Sequence, residues 1–467
     1  MSDPKATITQ ELKTTLVDLL QKDLDSADNS YYIALGRSKA WPGNNDVPEQ
    51  PEASGTASIK DLRASFQSYK ISANNTAIIT NSSWDVSGTT SYFPFDDKYS
   101  TQSNEYYVIN DSDEVFVCVE NGRNLITGAI VPSTIRPSAP TKTVADPSQS
   151  PPNDQIRTFK TSDGYHWRYL YKASPFASTQ FKTNTLMPVK RVRGAPTLEE
   201  EIEQQQMQDS SFAGEILSIQ VVDGGSNYSA PTVTFSGNGT ANDGEGNPLG
   251  FSAIQSGGVI THIGLDSDGV GKIVHGSGYT DVQLTVTDGG SGSGAILRPV
   301  IGNLNKDPRA TLRSNGLLIK TDFQNSELNT ILAENDFRTV ALIRNPSQYG
   351  GGSLTANTAN ALSALSLTGI SGTFIEDELI SQAATGSQGY VVNLDGSTLY
   401  YIQDISLGIQ AFDNSLVTTA SGGQGTVTGT INPDVDVFSG DILYISNDSD
   451  TPRNSSQTEE IRLIVNF

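Results

Sequence analysis

Apolar and polar residues alternate along Tyr165-His166-Trp167-Arg168-Tyr169-Leu170-Tyr171-Lys172 more cleanly than anywhere else in the chain. Residues two apart share one face of a strand, so the pattern predicts a strand with Tyr165, Trp167, Tyr169 and Tyr171 on one side. His166, Arg168, Leu170 and Lys172 take the other side, and Asp163-Gly164 supplies a turn ahead of them. The aromatic side can anchor a sheet. The mostly cationic side must meet water, acidic groups of the same chain or a partner, and a wet side is the expectation for an antiparallel strand.

The same reading places the other elements. Ile8, Leu12, Leu16, Leu19 and Leu20 recur at helical spacing, and Thr7 with Gln10 fits a capping box. One short amphipathic helix is therefore predicted, docked on the core or on another subunit. Tyr31–Leu35, Ala77–Thr80, Tyr106–Ile109 and Val115–Val119 read as strands, as does Asp336–Arg344, stopped by Asn345-Pro346. Residues 43–58 and the proline-rich 131–153 read as loops. An apolar run up to Phe467 predicts a terminal strand pinned inside a sheet.

Two stretches depart from this style and repeat internally. In residues 212–300 a strand, a Gly-turn-Tyr and a second strand occur twice, around Asp223-Gly224-Gly225-Ser226-Asn227-Tyr228 and His275-Gly276-Ser277-Gly278-Tyr279. Each copy is too small to bury much alone and should lean on its twin. In residues 354–437, Phe374–Ile380 with Gly386-Ser387-Gln388-Gly389 is echoed by Phe412–Val417 with Gly422-Gly423-Gln424-Gly425. The predicted organisation is a β-rich core with an N-terminal helix over 1–211, a Gly-rich module over 212–300 and core again over 301–353. A second module over 354–437 and core strands over 438–467 complete it. Deleting 354–437 is expected to leave a folded core.

Composition agrees with a mainly β chain of several domains: 467 residues with 43 glycines and 36% hydrophobic content. The net charge of −22, from 30 basic and 52 acidic residues, has the wrong sign for a general nucleic-acid binder. No run is long and apolar enough to cross a bilayer, and the N-terminus lacks a signal-peptide layout, so a soluble cytoplasmic product is expected. The single cysteine, Cys118, rules out an internal disulfide framework and reads as a buried, inert thiol.

Candidate chemistry is sparse. None of His166, His262 and His275 has a second ligand at metal spacing. Gly289–Gly294 lacks the lysine and helix of a phosphate loop and reads as a flexible turn. Asp266-Ser267-Asp268-Gly269 opens like a calcium loop, but Ser277 stands where the closing glutamate belongs, leaving a plain turn. Acidic pairs such as Glu376 and Glu378 are common in an acidic chain. No catalytic residue, metal or cofactor is nominated. Arg37 and Trp41, after the first strand, and Trp167 and Arg168 are of the types that dominate interface hot spots, and they are the candidate partner-interface residues. For Trp41 an aromatic packed over the end of a sheet is an equally ordinary role.

Several stretches, in order, resemble one family. They are Ile33-Ala34-Leu35-Gly36-Arg37-Ser38 with Trp41, the Ile109-Asn110-Asp111 to Val117-Cys118 region and Asp163–Leu170. Ile343-Arg344-Asn345-Pro346 follows, then Gly440-Asp441-Ile442-Leu443-Tyr444 with Thr458-Glu459-Glu460-Ile461. Together they look like the baseplate wedge subunit, the product of gene 8, of T-even-type contractile-tailed bacteriophages. The resemblance covers about 1–200, 301–350 and 438–467 and runs across both repeat modules, which look like insertions. It implies a non-enzymatic virion protein of two sandwich-like β domains built from discontinuous segments. It also implies a homodimer within each wedge of a six-fold baseplate, bound to other wedge proteins and assembled in the host cytoplasm, with no nucleic-acid or membrane partner. The alternative is a tail appendage or spike whose Gly-rich repeats bind or depolymerise host surface glycans.

Overall fold

A computed structural model describes residues 8–37, 41, 56–72, 74–97, 107–124, 127–138, 158–192, 195–198, 201–202, 204–205, 213–242, 246, 248–266, 273–302, 309, 312–323, 337–403, 407–451 and 458–467. Thr7, Lys39, the Ser267–Gly269 turn and most of the loops expected over 43–58 and 131–153 lie outside those residues. The protein is mainly β, built of short antiparallel strands with a helix near its N-terminus. It forms two compact units, each from separate stretches: residues 1–17, 76–316 and 467, and residues 18–75 and 317–466.

The N-terminal helix is Gln10–Leu24. Its visible cap is Thr9, whose Oγ1 accepts from the Leu12 N–H at 3.3 Å, satisfying a donor that the first helical turn leaves free. Thr14 and Val17 make the buried stripe, while Leu12 and Leu19 are exposed, as is Ile8 ahead of the cap. Of the expected apolar face, Ile8, Leu12 and Leu19 are turned outward and Leu16 and Leu20 are half-buried, because the helix seats its Thr14/Val17 side instead.

In the first unit a four-stranded sheet runs in the order Tyr107–Ile109, Glu114–Glu120, His166–Lys172, Thr158–Lys160. Register pairs Phe116 with Tyr169 and Cys118 with Trp167, so these four share a face. A bulge at Leu170 then pairs Tyr171 with Val115 and turns it to the opposite face, where its hydroxyl donates to the Pro188 carbonyl at 2.9 Å. The single aromatic face predicted for Tyr165 to Tyr171 is therefore broken at Tyr171. Trp167 stacks on Tyr165 at 5.6 Å between ring centroids and meets Tyr92 edge-on at 5.5 Å. Cys118 lies buried in the same sheet, and burial pushes its thiol well above the ordinary range, in keeping with an inert core residue. The strand has no wet side: His166 to Tyr171 are all buried and only Lys172 is partly exposed.

The Gly-rich module belongs to this unit. Pro231–Gly237 and Val282–Asp288 each begin three residues after a buried tyrosine, Tyr228 or Tyr279, and pair antiparallel from Pro231 opposite Asp288 to Gly237 opposite Val282. The two copies do lean on each other. The Asp288 carboxylate accepts the N–H groups of Ser229, Ala230, Gly290 and Gly292, and the Asn238 side-chain oxygen accepts those of Thr280 and Asp281. The glycine turn expected to be flexible is thus tied to Asp288. Entry and exit of the module touch, the Gly214 N–H donating to the Gly302 carbonyl at 3.2 Å.

In the second unit a five-stranded sheet runs Thr358–Asn360, Phe66–Ile71, Tyr31–Gly36, Phe337–Arg344, Asp441–Thr451. Thr56–Ala64 is helical, although its first residues were expected in a loop, and Arg63 near its end donates to the carbonyls of Val437, Ser439 and Gly440. The second module is a closed six-stranded barrel between Ser363 and Ile431. Buried Gln382 ties one repeat copy to the other: its Nε2 donates to the Asp413 and Ser415 carbonyls and its Oε1 accepts the Asp413 N–H. The terminal strand Glu459–Asn466 lies at a sheet edge beside Gly316–Phe323, not inside the sheet.

The boundaries expected for the second module reach too far into the core. Leu354, Ala359, Ala361 and Val435 are buried with Tyr32, Phe66, Tyr69 and Ile343, and the Tyr32 hydroxyl holds the Leu354 and Ala356 carbonyls at 3.1 and 2.8 Å. Replacing only 363–431 by a short turn should preserve cooperative thermal unfolding of the remaining chain. Deleting 354–437 should remove about 5 kcal/mol or more of packing and abolish it, since several apolar side chains leave the core together. Equal melting of the two deletions would refute this boundary.

Candidate functional site

The second face of the aromatic strand is decided by another bulge. Cys118 pairs with Trp167, but Glu120 pairs with His166, leaving Val119 as the extra residue. In a regular strand Glu120, two residues beyond Cys118, would share its face, among the rings; the bulge re-aims it to the His166 side. There its Oε2 lies 2.9 Å from His166 Nδ1, and its Oε1 meets Nε2 of His262 from the module strand Val259–Leu265. Along the same face Arg168 Nη2 reaches Glu215 Oε2 at 2.8 Å, with both side chains almost wholly buried. His275 completes the row, Nδ1 at 2.8 Å from the Ile216 carbonyl and Nε2 at 3.1 Å from Thr158 Oγ1. All three histidines of the chain thus meet at the seam between the core sheet and the inserted module.

The rim of the seam is also ionic. Arg298 binds Asp96 and Asp97, each at 2.6 Å, and Gln220 Nε2 donates to Asp96 at 2.8 Å. Burial opposes ionisation of Glu120, but hydrogen bonds from His166 and His262 outweigh it and hold the carboxyl well below the usual carboxylate range. Arg123 feels the same carboxylate, although burial is the larger influence on its guanidinium and lowers its pKa. The Glu120 carboxylate lies between two imidazoles, one from the core sheet and one from the module. Sealed as it is, its evident work is to join two parts of the chain. Among the described residues no group of three or more His, Cys, Asp or Glu is placed to hold a metal ion.

The four interface candidates separate. In the second unit the Arg37 guanidinium lies 4.1 Å over the Trp41 ring, and Trp41 Nε1 donates to the Asp448 carbonyl at 2.9 Å on the edge strand Asp441–Thr451. Trp41 is thus tied to the edge of its own sheet, and both residues are partly exposed. Trp167 and Arg168 belong to the first unit and are interior, the ring inside the aromatic packing and the guanidinium spent on Glu215. They are removed as partner contacts, because a residue that is 0% or 2% exposed presents nothing to another chain. Glu120, Glu215, His262, His275 and Arg298 were not found by sequence reasoning. The one available clue was that a strand face holding His166 and Arg168 requires counter-charges.

The depressed carboxyl of Glu120 makes a pH-dependent contribution. A folded-state pKa below the unfolded one stabilises above the unfolded value, and that stability drains away as pH falls toward the folded value. Wild type should therefore exceed Glu120→Gln in urea midpoint most above about pH 5.5, with the gap narrowing toward pH 3. A gap that stays constant from pH 7 to pH 3 would show that the charge on Glu120 is not what matters.

No protein-family model matches the sequence, and no curated protein is similar enough to it to count as a relative.

Proposed function

We propose that this chain is a structural subunit of a contractile-tail baseplate, a wedge component that binds neighbouring wedge proteins and a second copy of itself and catalyses nothing. The observation that carries the reading is the outward apolar stripe of the N-terminal helix. Leu12 and Leu19 are two turns apart on one side, 47% and 56% exposed, with Ile8 at 52% ahead of them. Such a stripe, on a helix that already buries Thr14 and Val17, fits a chain that completes its surface by packing against another. The ordered series of resembling segments supports the same reading, and the net charge of −22 favours protein partners over nucleic acid. Virion localisation and the stoichiometry of two per wedge belong to the proposal.

Purified particles labelled with an antibody against residues 212–300 should show a ring at the far end of the tail. Label confined to fibres, spikes or host cells would defeat the proposal in favour of a glycan-binding appendage. In addition, Leu12→Glu with Leu19→Glu should leave the isolated chain within about 1 kcal/mol of wild type, since both side chains are exposed. The same double variant should fail to enter particles; normal incorporation would remove the helix from the assembly surface.

A further inference from the structure

The sheet that seats the Gly-rich module has two faces of opposite character. Strands Glu215–Ser226 and Ser293–Gly302 pair so that Ile216 lies opposite Ile301, Ile219 opposite Pro299 and Val221 opposite Leu297. These residues, proline apart, pack into an apolar cluster drawn entirely from the module, around Ile260, Ile263, Tyr228 and Tyr279. Between them the register sets Ser218 opposite Val300 and Gln220 opposite Arg298. With Glu215, this second face points at the core sheet; it is polar apart from the buried Leu217 and Val300.

The ties across the seam are accordingly charged: Glu215 to Arg168, His262 to Glu120, and Arg298 to Asp96 and Asp97. Attraction between buried charges is largely offset by the cost of taking them out of water, and separation returns that hydration. An apolar seam has no such offset. The module has an apolar core of its own, and its two ends are closed on each other at Gly214 and Gly302. Polar, modest contacts of this kind are those expected between parts that move.

We propose that residues 214–302 are an arm held on the core sheet by an electrostatic latch, able to leave its seat as an intact folded unit. Arg168–Glu215 is the dry centre of the latch, Glu120 with His166 and His262 its second buried contact, and Arg298 with Asp96 and Asp97 its rim. The inference concerns the free chain and does not depend on the baseplate reading.

Ser218, buried at the seam, is the reporter position. In the full chain carrying Ser218→Cys, the introduced thiol should react slowly with an aromatic disulfide reagent. Adding Glu215→Lys, which sets a cation against Arg168, should raise the rate at least about tenfold, and adding Arg168→Glu as well should lower it again. Arg298→Gln at the rim should give a smaller rise. Cys118 in the core should stay unreactive throughout. Amide exchange in Pro231–Gly237 and Val282–Asp288 should change less than about twofold, because the arm stays folded. Two results would overturn the proposal. One is an unchanged rate in both Glu215→Lys and Arg298→Gln. The other is a rise that, in both variants, comes only with Cys118 reactivity or with lost protection in those two strands.

Discussion

The first unit depends on a constraint of charge. His166 and Arg168 lie on a strand that is buried on both faces, and a buried guanidinium without a counter-charge is among the most costly groups a fold can contain. The core sheet supplies one carboxylate, Glu120, by way of a bulge. The second, Glu215, opens the first strand of the Gly-rich module, which also brings His262 and His275. The module is therefore not an ornament on the core. It covers a face that would otherwise need water.

Close packing at this seam accounts for some local sequence choices. Gly128, at a positive φ of 71°, comes so near the module that a Cβ there would lie 2.6 Å from Thr261 Cβ. The loop can lie against the Val259–Leu265 strand only with glycine at that place. The positive φ is a second reason for glycine.

The two modules are mounted differently. The barrel is carried on segments that are themselves part of an apolar core, through Leu354, Ala359, Ala361 and Val435, with Tyr32 clamping the incoming chain. The Gly-rich module is closed at a two-strand neck, and its resolved ties to the core are mainly ionic and hydrogen-bonded. Apolar burial gives a mount that is stable but indifferent to direction. Paired charges add little net stability and discriminate strongly between one seating and another.

Much of the local structure was legible in the sequence. Alternation located the strands Tyr31–Gly36, Glu114–Glu120 and His166–Lys172, helical spacing located Gln10–Leu24, and internal repetition located both modules, because those periods are properties of the chain alone. The repeat also implied that the two copies lean on each other, as the strands after Tyr228 and Tyr279 do. Three things were decided only by the tertiary structure. Bulges at Val119 and Leu170 turned Glu120 and Tyr171 to the face that alternation denied them, since one extra residue inverts every side chain beyond it. Packing chose Thr14 and Val17 over Leu12 and Leu19 as the seated side of the helix. And the cationic face of residues 166–172 found its counter-charges on other strands, His166 at Glu120 and Arg168 at Glu215, 47 residues away. Periodicity says which residues share a face; what covers that face depends on contacts between distant segments, which no local pattern encodes.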